Sequence, residues 1–166
     1  MRGDADEWWA YASDEKETAS VLMAVERWRA CYHHAGQILE FALKALYLRR
    51  NSLALMPEQA RGAKWHQLEV IVEHAKLEVE IGSLRTDRLR YANWLTARDW
   101  NSNARFPGAK TSKAEALDLM SAASTRAKAY FHGSKRFISA VDRRWSSNAR
   151  GAGRDALGRA VGHVGL

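Results

Sequence analysis

Residues 32–47, Tyr-His-His-Ala-Gly-Gln-Ile-Leu-Glu-Phe-Ala-Leu-Lys-Ala-Leu-Tyr, constrain the fold more than any other stretch of this 166-residue chain. Ala35, Leu39, Ala42, Leu43 and Leu46 recur at helical spacing and make one apolar stripe that has to be buried. His33, Gln37, Glu40 and Lys44 recur at steps of four, three and four, which draws a second, polar line along the same helix. Such a helix needs other helices against its apolar side. Its polar line faces a groove, a subunit contact or water. If the line is only solvated, its Glu40–Lys44 pair contributes about 0.3 kcal/mol.

The remaining periodic segments also have a helical period, and strand-like alternation is scarce. A first helix is expected over about residues 6–30, with Val21, Leu22, Val25, Trp28 and Tyr32 inward and Glu15, Lys16 and Glu17 in water. A short turn near residues 29–33 leads into the second helix, to about residue 50. Residues 51–64, with Pro57 and Gly62, read as a loop. A third helix starts near Trp65 and turns Leu68, Ile71, Val72, Ala75 and Val79 inward; residues 84–100 read as a fourth, rich in arginine. After a polar loop over residues 101–108, Ser112 caps a last helix, with Glu115 completing a capping box. Ala116, Met120, Ala123, Ala127 and Tyr130 mark its inner stripe, and Phe137 and Val141 extend it. The expected fold is all-α, an up-and-down bundle of four to five helices over residues 6–145, followed by a Gly/Arg-rich tail over residues 146–166.

Eighteen of the 26 basic residues are arginine, and the net charge is +7. The planar guanidinium suits phosphate and stacks on bases, so nucleic acid leads the classes of charged partner, ahead of an acidic protein. The single Cys31 excludes an internal disulfide, and no apolar run approaches the ~18 residues of a membrane span. The first residues hold no signal-like apolar stretch, so a cytoplasmic location is the expectation. No cysteine pair or His-Glu-x-x-His occurs, and no Gly-rich loop follows a strand; neither a metal nor a cofactor is called for.

Four features occur in order: Trp8-Trp9; Ala35, Gln37, Glu40 and Lys44-Ala45-Leu46; His66-Gln67-Leu68; and Arg105-Phe106-Pro107-Gly108. The set resembles the HEPN family of small bacterial and archaeal helical domains over roughly residues 8–138. The resemblance implies a HEPN-like bundle that pairs as a homodimer, often encoded beside a minimal nucleotidyltransferase acting as antitoxin. Many family members cleave RNA without metal through an Arg-x(4–6)-His motif near the start of a late helix; others only bind. Here the matching interval, residues 84–116, has five arginines and no histidine. The resemblance therefore implies an RNA-associated toxin–antitoxin or defence component with weak or no intrinsic ribonuclease activity. The alternatives are an interaction module for a nucleotidyltransferase, and a metal-free endoribonuclease working elsewhere in the chain.

For that last alternative, Arg61 and His66 have the required spacing in a loop entering a helix, and are the candidate catalytic pair. Arg126/His132 and the pairs around His33 and His34 have the spacing too, but a helix turns the first pair about 120° apart. Arg85, Arg88, Arg98 and Arg105 are the candidate RNA-binding residues. Trp94, Trp100 and Phe106 lie between them, and each could stack a base for about 1–3 kcal/mol or belong to the core. The polar line of His33, Gln37, Glu40 and Lys44 is the candidate groove or interface.

Overall fold

The computed structural model describes residues 3–60, 62–106 and 108–126. Ala127, Tyr130, Phe137, Val141, the boundary at residue 145 and the tail fall outside the described residues, as do Arg61 and Pro107. All regular structure described is helical: α1 (Ala5–Ala24), α2 (Trp28–Arg50), α3 (Leu68–His74), α4 (Glu78–Ser83), α5 (Arg88–Arg98) and α6 (Lys113–Arg126). Short 3-10 turns cover Ala63–His66, Leu84–Thr86 and Ser102–Arg105. Among the described residues no helix is long and apolar enough to cross a membrane.

Helix starts follow their caps. The Asp4 carboxylate accepts from the Asp6 and Glu7 amides at 2.8 Å each, and Glu7 accepts from the Asp4 amide at 2.9 Å, a complete capping box for α1. Asp87 accepts from the Arg90 amide at the start of α5. Ser112 and Glu115 make the reciprocal pair expected of them, at 3.2 and 2.7 Å.

α2 is the centre of the bundle. α1 lies antiparallel on it, as Arg49–Asp6, Trp8–Phe41 and His34–Glu15 contacts show, and α6 packs on α2 and α5. Its apolar stripe of Ala35, Leu39, Ala42, Leu43 and Leu46 is buried, joined by Cys31, Ile38, Ala45 and Leu48. Ala12, Ala19, Ala116, Ala122 and Ala123 on the facing helices bring the backbones close. Burial pushes the Cys31 thiol up, so it packs as a small apolar side chain rather than a nucleophile.

The expected breaks are displaced. α1 ends at Ala24, not near Ala30, and the turn falls at residues 25–27. The third expected helix is two, α3 and α4, so six α-helices replace the expected four to five. One device explains both. Glu26, Ser52 and Lys76 sit at φ 57°, 53° and 54°, the left-handed region. Behind each, paired reversed bonds close the helix: Arg27 N–H to Leu22 C=O, Leu53 N–H to Leu48 C=O, Leu77 N–H to Val72 C=O. These are Schellman endings without the glycine that would announce them.

The end of α1 also turns the opposite way from expectation. Its buried stripe runs through Trp8, Ala12 and Ala19, and Val21 lies two residues, about 200°, around from Ala19. Val21 is 64% exposed because it lies off that stripe, and Val25 60% because α1 has ended at Ala24. Glu15 and Lys16 are half-buried rather than in water. Val79 lies beyond the Lys76 break and is exposed; Leu77 is buried instead.

A left-handed residue with a Cβ costs about 1–2 kcal/mol, partly offset by the entropy glycine brings to the unfolded chain. Glu26→Gly and Lys76→Gly are each expected to stabilise the fold by about 0.5–1 kcal/mol, read as a raised urea midpoint with unchanged slope.

Candidate functional site

The polar line of α2 faces a cavity. His33, Gln37, Glu40 and Lys44 all line a space of about 270 Å³. α1 contributes Trp8, the Ala63–His66 turn contributes Trp65 and His66, and the segment after α5 contributes Trp100 and Arg105. Segments remote in sequence are held there by backbone contacts. Gly3 C=O accepts from Trp8 Nε1 and from the Met56 amide, at 3.1 and 3.2 Å. Arg29 donates to Phe106 C=O at 3.3 Å, and Asn101 caps the 3-10 turn that carries Arg105.

Glu40 is 2% exposed and Lys44 5%, the two buried charged residues among those described. Lys44 Nζ donates to Glu40 Oε1 at 2.5 Å and stands 4.8 Å from the Trp8 ring centroid. The same oxygen accepts from His66 Nδ1 at 3.0 Å, which places a proton on Nδ1. The His66 side chain is 42% exposed, so it stands at the cavity mouth. A solvated Glu40–Lys44 pair is thus not what the fold builds. Removing one partner of a buried pair typically costs about 3–5 kcal/mol.

His33 lies deeper. Its Nδ1 is buried and makes no hydrogen bond in the described structure. Burial, then the neighbouring His34 and Arg105, hold its pKa below the ordinary imidazole value, against an opposing pull from Glu40. His33 is therefore neutral at pH 7. His34 points instead to Glu15 on α1.

Trp100 is buried with an unpaired Nε1, and it lies flat against α2 at Gly36. A Cβ added at Gly36 would sit 1.9 Å from Trp100 Cε2. This helix-interior glycine is the signal in the sequence for a close ring that spacing arguments did not use.

Of the four arginines expected to bind RNA, Arg105 is the one among the cavity's lining residues. Arg105 lines the cavity, with its guanidinium 4.8 Å from the Phe106 ring. Arg98 is engaged by Asp99 at 2.9 Å and Glu69 at 3.8 Å. Arg85 lies over Tyr91 and Arg88 is exposed, both outside the cavity lining. Trp94 and Trp100 are core residues, so of the interleaved rings only Phe106, 50% exposed, presents a face. Of the pair Arg61/His66 the structure describes only His66. Trp65, stacked on His74 at 4.8 Å and 11°, is a cavity wall that the spacing analysis did not anticipate. Among the described residues no three His, Cys, Asp or Glu side chains are grouped to hold a metal ion.

No protein-family model, curated protein or solved structure matches this chain.

Two consequences are measurable. Gly36→Ala should destabilise the protein by about 2 kcal/mol or more, because overpacking against Trp100 outweighs the ~1 kcal/mol gain in helix propensity; chemical denaturation reads it. The unfolded chain binds the His33 proton more readily than the native state, so this contribution is intact above about pH 6.5 and is lost as pH falls below it. Melting of the wild type should therefore decline more steeply below that pH than melting of His33→Gln.

Proposed function

We propose that this chain is a HEPN-like RNA-associated protein, a component of a toxin–antitoxin or defence pair, with weak or no intrinsic ribonuclease activity. One observation carries the reading. Residues singled out by the resemblance from four separate segments, Trp8, Gln37, Glu40, Lys44, His66 and Arg105, line a single cavity. Unrelated surface positions scattered over about a hundred residues would have no reason to meet.

The electrostatics support an anionic ligand. Glu40 neutralises Lys44, burial disfavours a charge on His33, and among the described residues lining the cavity Arg105 is the remaining arginine or lysine. The arginine-rich composition adds a field that draws polyanions. The homodimer and the minimal nucleotidyltransferase partner belong to the same proposal and rest on the resemblance alone. So does the alternative of a pure pairing module.

RNA affinity should fall steeply with salt, and Arg105→Ala should weaken binding and reduce the slope of log K against log [salt] by about 1. Fluorescence anisotropy with labelled tRNA at 0.05–0.5 M salt, roughly the range over which counterion release acts, tests it. Affinity indifferent to salt, or to the loss of Arg105, would leave the pairing module as the better reading.

A further inference from the structure

We infer that this cavity selects guanine among the bases of a single-stranded RNA, with Glu40 and Gln37 reading the edge of the base. The inference rests on RNA being the bound polymer and adds the base that the cavity prefers.

Glu40 has one oxygen to spare. Its Oε1 accepts from Lys44 Nζ at 2.5 Å and from His66 Nδ1 at 3.0 Å. Two donors fill the two lone pairs of that oxygen and fix the carboxylate from both sides. Oε2 takes no hydrogen bond from the described residues, yet the buried side-chain atoms left without a partner among them are His33 Nδ1 and Trp100 Nε1. Oε2 therefore borders open space, and the space that Glu40 lines is the cavity. Gln37 precedes Glu40 by three residues on the same polar line of α2. It lines the cavity half-buried, and its amide engages no described partner. Residues three apart on a helix are neighbours, so the amide and the spare oxygen stand side by side.

An oxygen that only accepts, beside an amide that can donate, matches a ligand edge with donors next to an acceptor. Guanine presents that order: N2–H, N1–H and then the O6 acceptor. Its two N–H groups converge on Oε2, and O6 accepts from the Gln37 amide. Uracil sets a single N–H between two carbonyl oxygens, which would face the carboxylate. Adenine and cytosine each offer one amino group beside an acceptor nitrogen. A hydrogen bond to a charged acceptor is roughly twice as strong as a neutral one, so the base with two adjacent donors gains most.

The surroundings suit one base on a strand. Trp65 is fixed by His74 at 4.8 Å and Tyr47 at 5.2 Å, and with Phe41 it makes an aromatic wall. Stacking on such rings tolerates any base, so the wall adds affinity without choice. At about 270 Å³ the space falls just below the ~300–1,000 Å³ usual for ligand pockets, which admits one splayed-out base and excludes a duplex. Arg105 borders the same cavity and is the cation for the adjoining phosphate. Selectivity is thus left to the two polar residues of α2.

The test titrates the full-length protein with labelled short oligouridine strands carrying a central guanosine, inosine, adenosine, cytidine or uridine, read by fluorescence anisotropy, with GMP and AMP as competitors. The guanosine strand should bind about tenfold or more tighter than the adenosine, cytidine and uridine strands, with inosine, which lacks the N2 amine, in between. Glu40→Gln should bring the guanosine strand down to the inosine strand and leave the uridine strand unchanged, whereas loss of a merely structural group would weaken every strand alike. Should Glu40→Gln not fold, Gln37→Leu carries the test, because its half-buried amide has no described partner to lose. That variant should weaken the guanosine and inosine strands together, since both present O6. Equal binding of all strands by the wild type overturns the inference and leaves RNA association standing. A guanosine preference that survives both variants overturns it as well. GMP, and not AMP, competing as tightly as the guanosine strand itself binds supports guanine selection and overturns RNA as the bound polymer. Binding of neither strands nor GMP overturns both.

Discussion

The buried Glu40–Lys44 ion pair is the constraint around which the rest of the bundle is arranged. Two ions in the interior each carry a desolvation penalty of several kcal/mol, which their attraction offsets only when further partners complete the shell. α1 supplies one by laying Trp8 over the ammonium; the Ala63–His66 turn supplies the other by bringing His66 to the carboxylate. The position of α1 and the path of the chain before α3 are therefore tied to one pair on α2. An apolar pair of similar volume at these positions is often equally stable or more so. Stability alone does not call for the ions; a cavity that must hold charge in place does.

Around that pair the charges are divided rather than pooled. The negative charge of Glu40 is shared between an ammonium and an imidazole, while Arg105 is left to the solvent side with an aromatic ring beneath it. The inner wall is left uncharged: His33 is kept neutral by burial, and the Trp100 indole adds only a donor. The inner wall is thus uncharged, and the exposed side carries the guanidinium of Arg105. That polarity suits a ligand with a flat part and an anionic part.

The fold class was legible because the apolar stripe of α2 and the cap at Ser112 depend on local spacing alone. The helix ends were not, because Glu26, Ser52 and Lys76 adopt a left-handed conformation that the residue type does not signal. Val25 misled for the same reason, because α1 ends before it, whereas Val21 misled because the buried stripe of α1 runs along another face. Of the candidate site, the polar line on α2, His66 and Arg105 could be picked out, because each is a chemically distinctive residue in a patterned place. Their meeting could not, since it depends on long-range packing. Nor could it be told that Arg105 lines the cavity while Arg85, Arg88 and Arg98 do not, because a run of arginines along a chain carries no information about which way each one points.

The Trp100–Gly36 contact has a further consequence, in the order of assembly. The α1–α2 hairpin is closed by a three-residue connection, so its contacts need little loop-closure entropy and can form early. The ring of Trp100 reaches Gly36 only across more than sixty residues of chain, and the turn bearing Arg105 follows it. By sequence separation the wall made by this ring closes later in folding than the α1–α2 hairpin. A chain that has lost only this contact would keep most of its helix and lose one wall of its cavity, so the cavity reports on long-range packing rather than on helix content.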